Sequence, residues 1–255
     1  MTSTPARNEP RERLRRLHPE PALVTADEAV AQLAFEAPAA RPYVVVNMVS
    51  TADGRASVAG RTAPISSAAD RQLFHALRTR VDAVMVGAGT IRVERYGRIV
   101  PDAHRRELRA LAGLEGDALA IVVSASLNLP PDLPLLQDPD SHVVVITSSE
   151  GELDGCVAGV EYLRSAPVDL RAALARLRED YGVRSILCEG GPHLNASLLA
   201  QGLLDELFLT TVPKLAGAAG SLSIMDDALL AEPVALELRW LLECDGELFA
   251  RYAIG

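Results

Sequence analysis

Glycines set directly after apolar runs are the residues of this sequence best suited to chemistry, because they let backbone approach a phosphate closely. The strongest instance is Ile186-Leu187-Cys188-Glu189-Gly190-Gly191-Pro192-His193-Leu194. It reads as a buried strand, a two-glycine turn, and a helix with proline at its first position. The start of such a helix offers free N–H groups and a partial positive charge to an anion. The same residues also suit an ordinary tight strand–helix turn with no ligand. Glu189 tilts the balance, because an acid at the carboxyl end of a parallel strand sits where open α/β sheets bind ligands.

Three further stretches carry weaker signals. Val84-Met85-Val86-Gly87-Ala88-Gly89-Thr90 again puts glycines after a strand, but Arg92 stands where a GxGxxG fingerprint needs its third glycine. Asn47 to Arg55 ends a strand, and its Asp53-Gly54 is first of all a turn signal. Arg71, His75 and Arg78 follow an i, i+4, i+7 spacing and share one helical face. Such a face is usually solvated; beside a pocket, its arginines hold phosphate through bidentate contacts.

Other chemistries lack their residues. There is no Gly-x-Ser-x-Gly elbow and no Walker loop. His18-Pro19-Glu20 mimics half of a zinc-deaminase signature, without the Pro-Cys-x-x-Cys that completes it. Cys156, Cys188 and Cys244 form no CxxC pair, which points to a reducing compartment and to no metal site. A formal charge of −9 disfavours nucleic acid as a partner. No apolar run approaches the ~20 residues that span a bilayer, and the N-terminus has no apolar signal core. The expected location is the cytoplasm, without a membrane partner.

These motifs need elements to hold them. Of the 255 residues 49% are hydrophobic, mostly Ala, Val and Leu, which suits a sheet covered by helices. Residues 1–40 read as an N-terminal extension containing one short helix behind a Thr25-to-Glu28 capping box. Residues 41–255 read as one domain. Strands are expected at Tyr43–Met48, Ala83–Val86, Leu119–Val123, Val143–Ile146, Ser185–Cys188 and around Leu207–Thr211. Helices are expected after Ser66-Ser67, over Leu170–Leu177, and from Pro192 to a stop at Gly202. Leu236–Leu242 and Leu248–Ala253 read as a hairpin around Asp245-Gly246. The fold class is α/β: a mostly parallel central sheet, helices on both faces, and an antiparallel C-terminal hairpin at one edge.

Taken in order, Ser50-Thr51-Ala52-Asp53-Gly54-Arg55, Ile65-Ser66-Ser67, Leu77-Arg78, Val86-Gly87-Ala88-Gly89-Thr90, Val122-Val123-Ser124 and Glu189-Gly190-Gly191-Pro192 resemble the reductase domain of riboflavin biosynthesis. Leu204-Asp205-Glu206-Leu207, Val212-Pro213-Lys214 and a glycine-rich segment continue the likeness, which covers about residues 41–253. The resemblance implies a dihydrofolate-reductase-like fold, a homodimer, and NADPH as cofactor. It implies that Gly87, Thr90, Glu94, Ser124, Gly190, Gly191, Pro192, His193 and Leu194 hold the cofactor. Thr62 and Arg78 would face a phosphorylated pyrimidine, with Arg78 at its phosphate or ribose. Asp53 and Glu189 would be catalytic, one of them or a water giving the proton.

The chain departs from that family in two places. The zinc deaminase signature that bifunctional members carry ahead of the reductase is not among these residues, so no deaminase activity is expected. After Thr90 the family pattern Asp-Asp-Pro-x-Leu-Thr-Val is replaced by Val93-Glu94-Arg95-Tyr96-Gly97-Arg98-Ile99-Val100, keeping only an acid, Glu94. A changed substrate loop on a kept cofactor site is how one fold acquires new substrates. Three readings therefore stand: an NADPH-dependent pyrimidine phosphate reductase, a pterin or dihydrofolate reductase on the same fold, and a nucleotide-binding protein without catalysis. Asp53, Arg78 and Glu189 together argue against the third, since a pure binder needs none of them.

Overall fold

A computed structural model describes residues 11–217, 222–226, 230 and 232–255. The glycine-rich segment after Lys214 therefore lies partly outside the described residues. Short apolar runs rich in β-branched residues make the strands, and the segments between them supply the helices. In chain order the strands are β1 (Leu14–His18), β2 (Ala22–Val24), β3 (Tyr43–Thr51), β4 (Ala83–Gly87), β5 (Leu119–Val123), β6 (His142–Thr147), β7 (Gly159–Arg164), β8 (Ser185–Cys188), β9 (Glu206–Val212), β10 (Leu236–Cys244) and β11 (Glu247–Ile254). The helices are α1 (Ala26–Val30), α2 (Ala68–Leu77), α3 (Ala88–Glu94), α4 (Ala103–Leu111), α5 (Leu170–Glu179) and α6 (Pro192–Ala200).

All described strands join one sheet in the order β2-β1-β10-β11-β9-β3-β8-β4-β5-β6-β7. From β9 to β7 neighbouring strands are parallel, and from β2 to β9 they are antiparallel. The mostly parallel α/β sheet expected from the sequence is thus present. The hairpin is not at the sheet's edge, however: β1 pairs with β10 and β2 with β1. Those two short strands come from the segment read as an extension, which packs on the body. Their apolar pattern (Leu14, Leu17 and Leu23 among arginines) is too brief to announce strands.

Period-2 alternation sends successive strand residues to opposite faces. Val45, Val84, Val86, Val122 and Val145 pack under α1 to α3 with Val30, Leu73, Leu77 and Ile91. Val46, Met85, Ile121, Val144 and Ile186 pack under α5 and α6 with Leu174, Leu177 and Leu198. Caps set where the helices begin. Ser67 accepts from the Asp70 amide at the start of α2, Asp169 from the Ala172 amide at α5, and Thr25 and Glu28 form the expected capping box. Asp245 (φ 50°) and Gly246 (φ 81°) make the left-handed turn between β10 and β11.

One buried cation ties the helical layer to the parallel strands. Arg109 of α4 has no exposed surface and donates to the carbonyls of Arg78, Val81, Glu115 and Asp117. Burial pulls its pKa below the ordinary arginine value. The contact fixes the 3₁₀ turn Arg78–Arg80 that leads into β4. Replacing Arg109 with leucine leaves several buried carbonyls unpaired, each an appreciable loss. Chemical denaturation of Arg109→Leu should show about 3–4 kcal/mol less stability than the parent.

Candidate functional site

The site stands where the parallel strands end. β4 and β8 lie side by side, so their glycine turns meet: the Gly87 amide donates to the Gly190 carbonyl at 2.7 Å. The approach is too close for side chains. A Cβ on Gly191 would stand 2.8 Å from Thr90 Oγ1, and one on Gly87 would stand 3.3 Å from the Gly191 nitrogen. Gly190 adopts φ +85°, which an L side chain rarely takes. The peptide between Gly190 and Gly191 is cis. Neither Gly87, which caps α3, nor Gly191, which caps α6, brings a side-chain hydrogen bond to its helix start.

Above these turns opens a cavity of about 1180 Å³. A single small-molecule pocket holds roughly 300–1,000 Å³, so this one has room for more than one partner. Its lining includes Gly87 to Thr90 and Gly191 to Leu194, together with Thr62, Glu94, Arg78 and Glu189. Gly190 is not in the wall; its carbonyl is the acceptor that locks the two turns together. Val123, Ala125, Val168 and Leu170 line the part beyond β4, and Asn47, Met48, Ser66 and α2 line the opposite part. The sheet order β9-β3-β8-β4-β5 thus divides the cavity into two ends, with the glycine turns between.

Arg78 and Glu189 form the polar centre. The guanidinium donates through Nε to Oε1 at 2.7 Å and through Nη2 to Oε2 at 2.8 Å, with side chains 8% and 1% exposed. Tyr96 donates its hydroxyl to the same Oε2 at 2.8 Å, and Arg78 also reaches the Ile99 carbonyl. Phe74 stacks under the guanidinium at 4.4 Å. Burial and the neighbouring Glu189 push the Tyr96 hydroxyl well above its ordinary pKa, so it stays a donor. Burial alone would lower the Arg78 pKa, but the charge and hydrogen bonds of Glu189 outweigh it and the net shift is upward.

The structure brings together most of the residues singled out in the sequence and relocates some. Thr62 and Glu94 meet: the Glu94 carboxylate accepts from the Thr62 amide at 3.1 Å and its hydroxyl at 3.0 Å. Arg71, His75 and Arg78 do share the face of α2 and its following turn that borders the cavity. Burial, with Arg78, Arg105 and Arg71 nearby, holds the His75 pKa down to about 4, so this imidazole is neutral at ordinary pH.

Asp53 is corrected. It does not border the cavity and instead accepts from Thr51 Oγ1 and from the amides of Ala216 and Gly217. Those bonds, Thr51 first, hold its pKa down to about 2, so it anchors a loop as an ionised group and has no proton to give. Ser124 is corrected too: it is 3% exposed and buried behind the wall, which its neighbours Val123 and Ala125 line. Arg78, expected at a substrate phosphate or ribose, has its guanidinium paired with Glu189, and Glu189 has both oxygens engaged in return.

Tyr96, Phe74 and Asp70 escaped the sequence reading. Tyr96 lies in the stretch that departs from the family pattern, where no motif marks it. Asp70 sits three residues after Ser67, a spacing that reads as ordinary capping.

Comparison with known proteins fits this architecture. Residues 42–248 match the family model of the RibD C-terminal domain. A 2,5-diamino-6-ribosylamino-4(3H)-pyrimidinone 5′-phosphate reductase from Archaeoglobus fulgidus is 32% identical over 215 residues, covering 82% of this chain and 96% of that protein. The protein of the same description from Methanothermobacter thermautotrophicus is 29% identical over 227 residues, covering 84% and 99%. Among solved structures, a pyrimidine reductase-like protein from Corynebacterium diphtheriae aligns with a TM-score of 0.74 at 24% identity, covering 91% of this chain and 99% of that one. That last likeness concerns the fold, and the family rests on the sequence matches: this chain belongs to the RibD C-terminal domain family.

Proposed function

We propose that this chain is an NADPH-dependent reductase acting on the ribosylamino group of a pyrimidine 5′-phosphate, on the route to riboflavin. The observation that carries the reading is the pair of glycine turns under a cavity large enough for two partners. A dinucleotide fits the donor set: glycine backbone with no intruding Cβ, and the start of α6, a nine-residue helix with no side chain capping it. Backbone at Gly87–Thr90 and Gly191–Leu194 would hold the diphosphate, with Thr90 and His193 beside it. When bound, NADPH supplies a hydride for the ribose C1′ in its open imine form.

The chain's own residues position and enclose. Val123, Ala125 and Val168 line the end of the cavity suited to the cofactor's far portion, and the α2 side is left for the pyrimidine. The Arg78–Glu189–Tyr96 group braces the cavity centre, fixing the wall against which both partners align; alignment of this kind is a large part of what a hydride-transfer enzyme contributes. Thr62, held by Glu94, places the 56–66 loop over the substrate side. The names of the archaeal relatives support the substrate class. The reading extends to a homodimer in the cytoplasm, as the family resemblance implies.

Four measurements check it. NADPH at a hundred times its Kd should stabilise the protein by about 2.7 kcal/mol, with NADH weaker at equal concentration. Gly191→Ala should abolish that stabilisation, because its Cβ would collide with Thr90; an unchanged melting shift would remove the turn from the cofactor site. Arg78→Met strands a buried carboxylate, so it should lower stability by about 3–5 kcal/mol and depress turnover even where the protein remains folded. A variant as stable and active as the parent would show the ion pair to be dispensable. In an NADPH oxidation assay, the pyrimidine phosphate should be consumed and dihydrofolate left; the reverse preference would overturn the assignment.

A further inference from the structure

Part of the wall on the substrate side of the cavity comes from two segments outside the helices and strands. One is the 56–66 loop, which lines the cavity with Ala56, Ser57 and Thr62; the other contributes Leu222. The Ala56 amide donates to the Leu222 carbonyl at 2.8 Å, so the two segments join into one wall. Irregular backbone of this kind takes its position from its anchors. The first segment is anchored on α3, where Glu94 holds the Thr62 amide and hydroxyl. The second is anchored on α6: Asn195 Nδ2 donates to the carbonyl of Ile224, two residues beyond Leu222, at 3.0 Å.

Asn195 stands where packing alone would favour an apolar residue. It has no exposed surface, and Leu194 and Leu198 flank it in the buried layer. An amide in such a place is costly unless its polar atoms are bonded. Both ends are bonded, Nδ2 to the Ile224 carbonyl and Oδ1 to Cys188 Sγ at 3.5 Å. Its side chain makes no hydrogen bond to the backbone of the Gly190–Gly191 turn, and it does not border the cavity. Ile224 and Met225 pack their side chains on the same apolar layer. Apolar contact is non-directional, so it holds the segment down without deciding which residue faces the cavity. The Asn195 hydrogen bond supplies that register. Ser223 then shapes the turn, bonding through Oγ to the Met225 carbonyl at 2.7 Å and to Asp226 Oδ1 at 3.2 Å.

Resting on the reading above, we propose that Asn195 is a positioning residue for the substrate: from α6 it sets the 222–226 segment, and through Leu222 the wall beside the pyrimidine. With Glu94 on α3 it hangs that wall from the two helices that follow the glycine turns. The backbone assigned to the cofactor and the wall assigned to the substrate therefore share one frame. Hydride transfer needs such a frame, because the two reacting carbons must be held roughly 3–3.5 Å apart.

The test combines steady-state kinetics with the pyrimidine phosphate, NADPH binding and amide hydrogen exchange, in the parent, Asn195→Ala and Ser223→Ala. Asn195→Ala should raise KM for the pyrimidine phosphate about five- to tenfold, as one lost neutral hydrogen bond would, and keep the NADPH Kd within about twofold. Ser223→Ala loosens the same segment without touching α6 and should raise KM by about two- to threefold; this arm decides the matter if Asn195→Ala does not fold. In both variants the Ala56 amide, bonded to Leu222, should exchange faster, while the Gly87 amide, bonded to Gly190, keeps its parent rate. An unmoved KM in the deciding variant, or an Ala56 amide that exchanges as in the parent, would overturn the positioning role. Equal losses for cofactor and substrate would overturn it too, by assigning Asn195 to the glycine turn. A parent that turns over no pyrimidine phosphate would instead overturn the function itself, and this role with it.

Discussion

The hydrogen bond from the Gly87 amide to the Gly190 carbonyl is the constraint on which the rest of the site depends. Two parallel strands separated in sequence by about a hundred residues end at the same level, and each must turn at once into a helix. Neighbouring strands lie ~4.8 Å apart, so two such turns fit side by side only if neither carries a side chain toward the other. Glycine at 87, 190 and 191 satisfies that condition, and Thr90 marks how little room is left. The two helix starts that follow, neither with a side-chain cap, line one cavity.

The polar centre follows from the same geometry. Glu189 is the residue after β8, so it emerges at the cavity's middle, where an isolated carboxylate is costly. Arg78, entering from the turn after α2, meets it with two parallel hydrogen bonds, and Tyr96 closes the group from the loop after α3. Arg109 fixes the turn that presents Arg78 by gripping its carbonyl and that of Val81. Three elements far apart in sequence thus converge on one carboxylate. Removing any of them leaves a charge or a dipole buried without its partner, which is why the site and the stability of the α2–β4 corner are coupled.

Much of this was legible in the sequence, for physical reasons that differ by element. The buried parallel strands announce themselves as short apolar runs, and Leu119–Val123 and Ser185–Cys188 have the bounds expected of them. The glycine turns are legible because only glycine tolerates their spacing. β1 and β2 were not, because two short strands of arginine and leucine carry no alternation strong enough to separate them from a charged tail. α3 and α4 were hidden for a similar reason: α3 follows a glycine turn that reads as loop, and α4 is a short, charged segment with three arginines among its nine residues. At the site, side-chain commitments were the invisible part. Nothing in the spacing of Arg78 and Glu189 says that they neutralise one another, that Asp53 turns toward the 216–217 loop, or that a helix-start aspartate three residues after Ser67 borders the cavity.

The central claim is that the backbone at the two glycine turns holds a dinucleotide's diphosphate. A crystal structure of the protein grown with NADP⁺ tests it most directly. The account predicts diphosphate oxygens within hydrogen-bonding distance of amides in Gly191–Leu194, with the cofactor's far portion running toward Val123 and Ala125. Dinucleotide bound elsewhere, with those amides satisfied by the protein's own side chains, would contradict it.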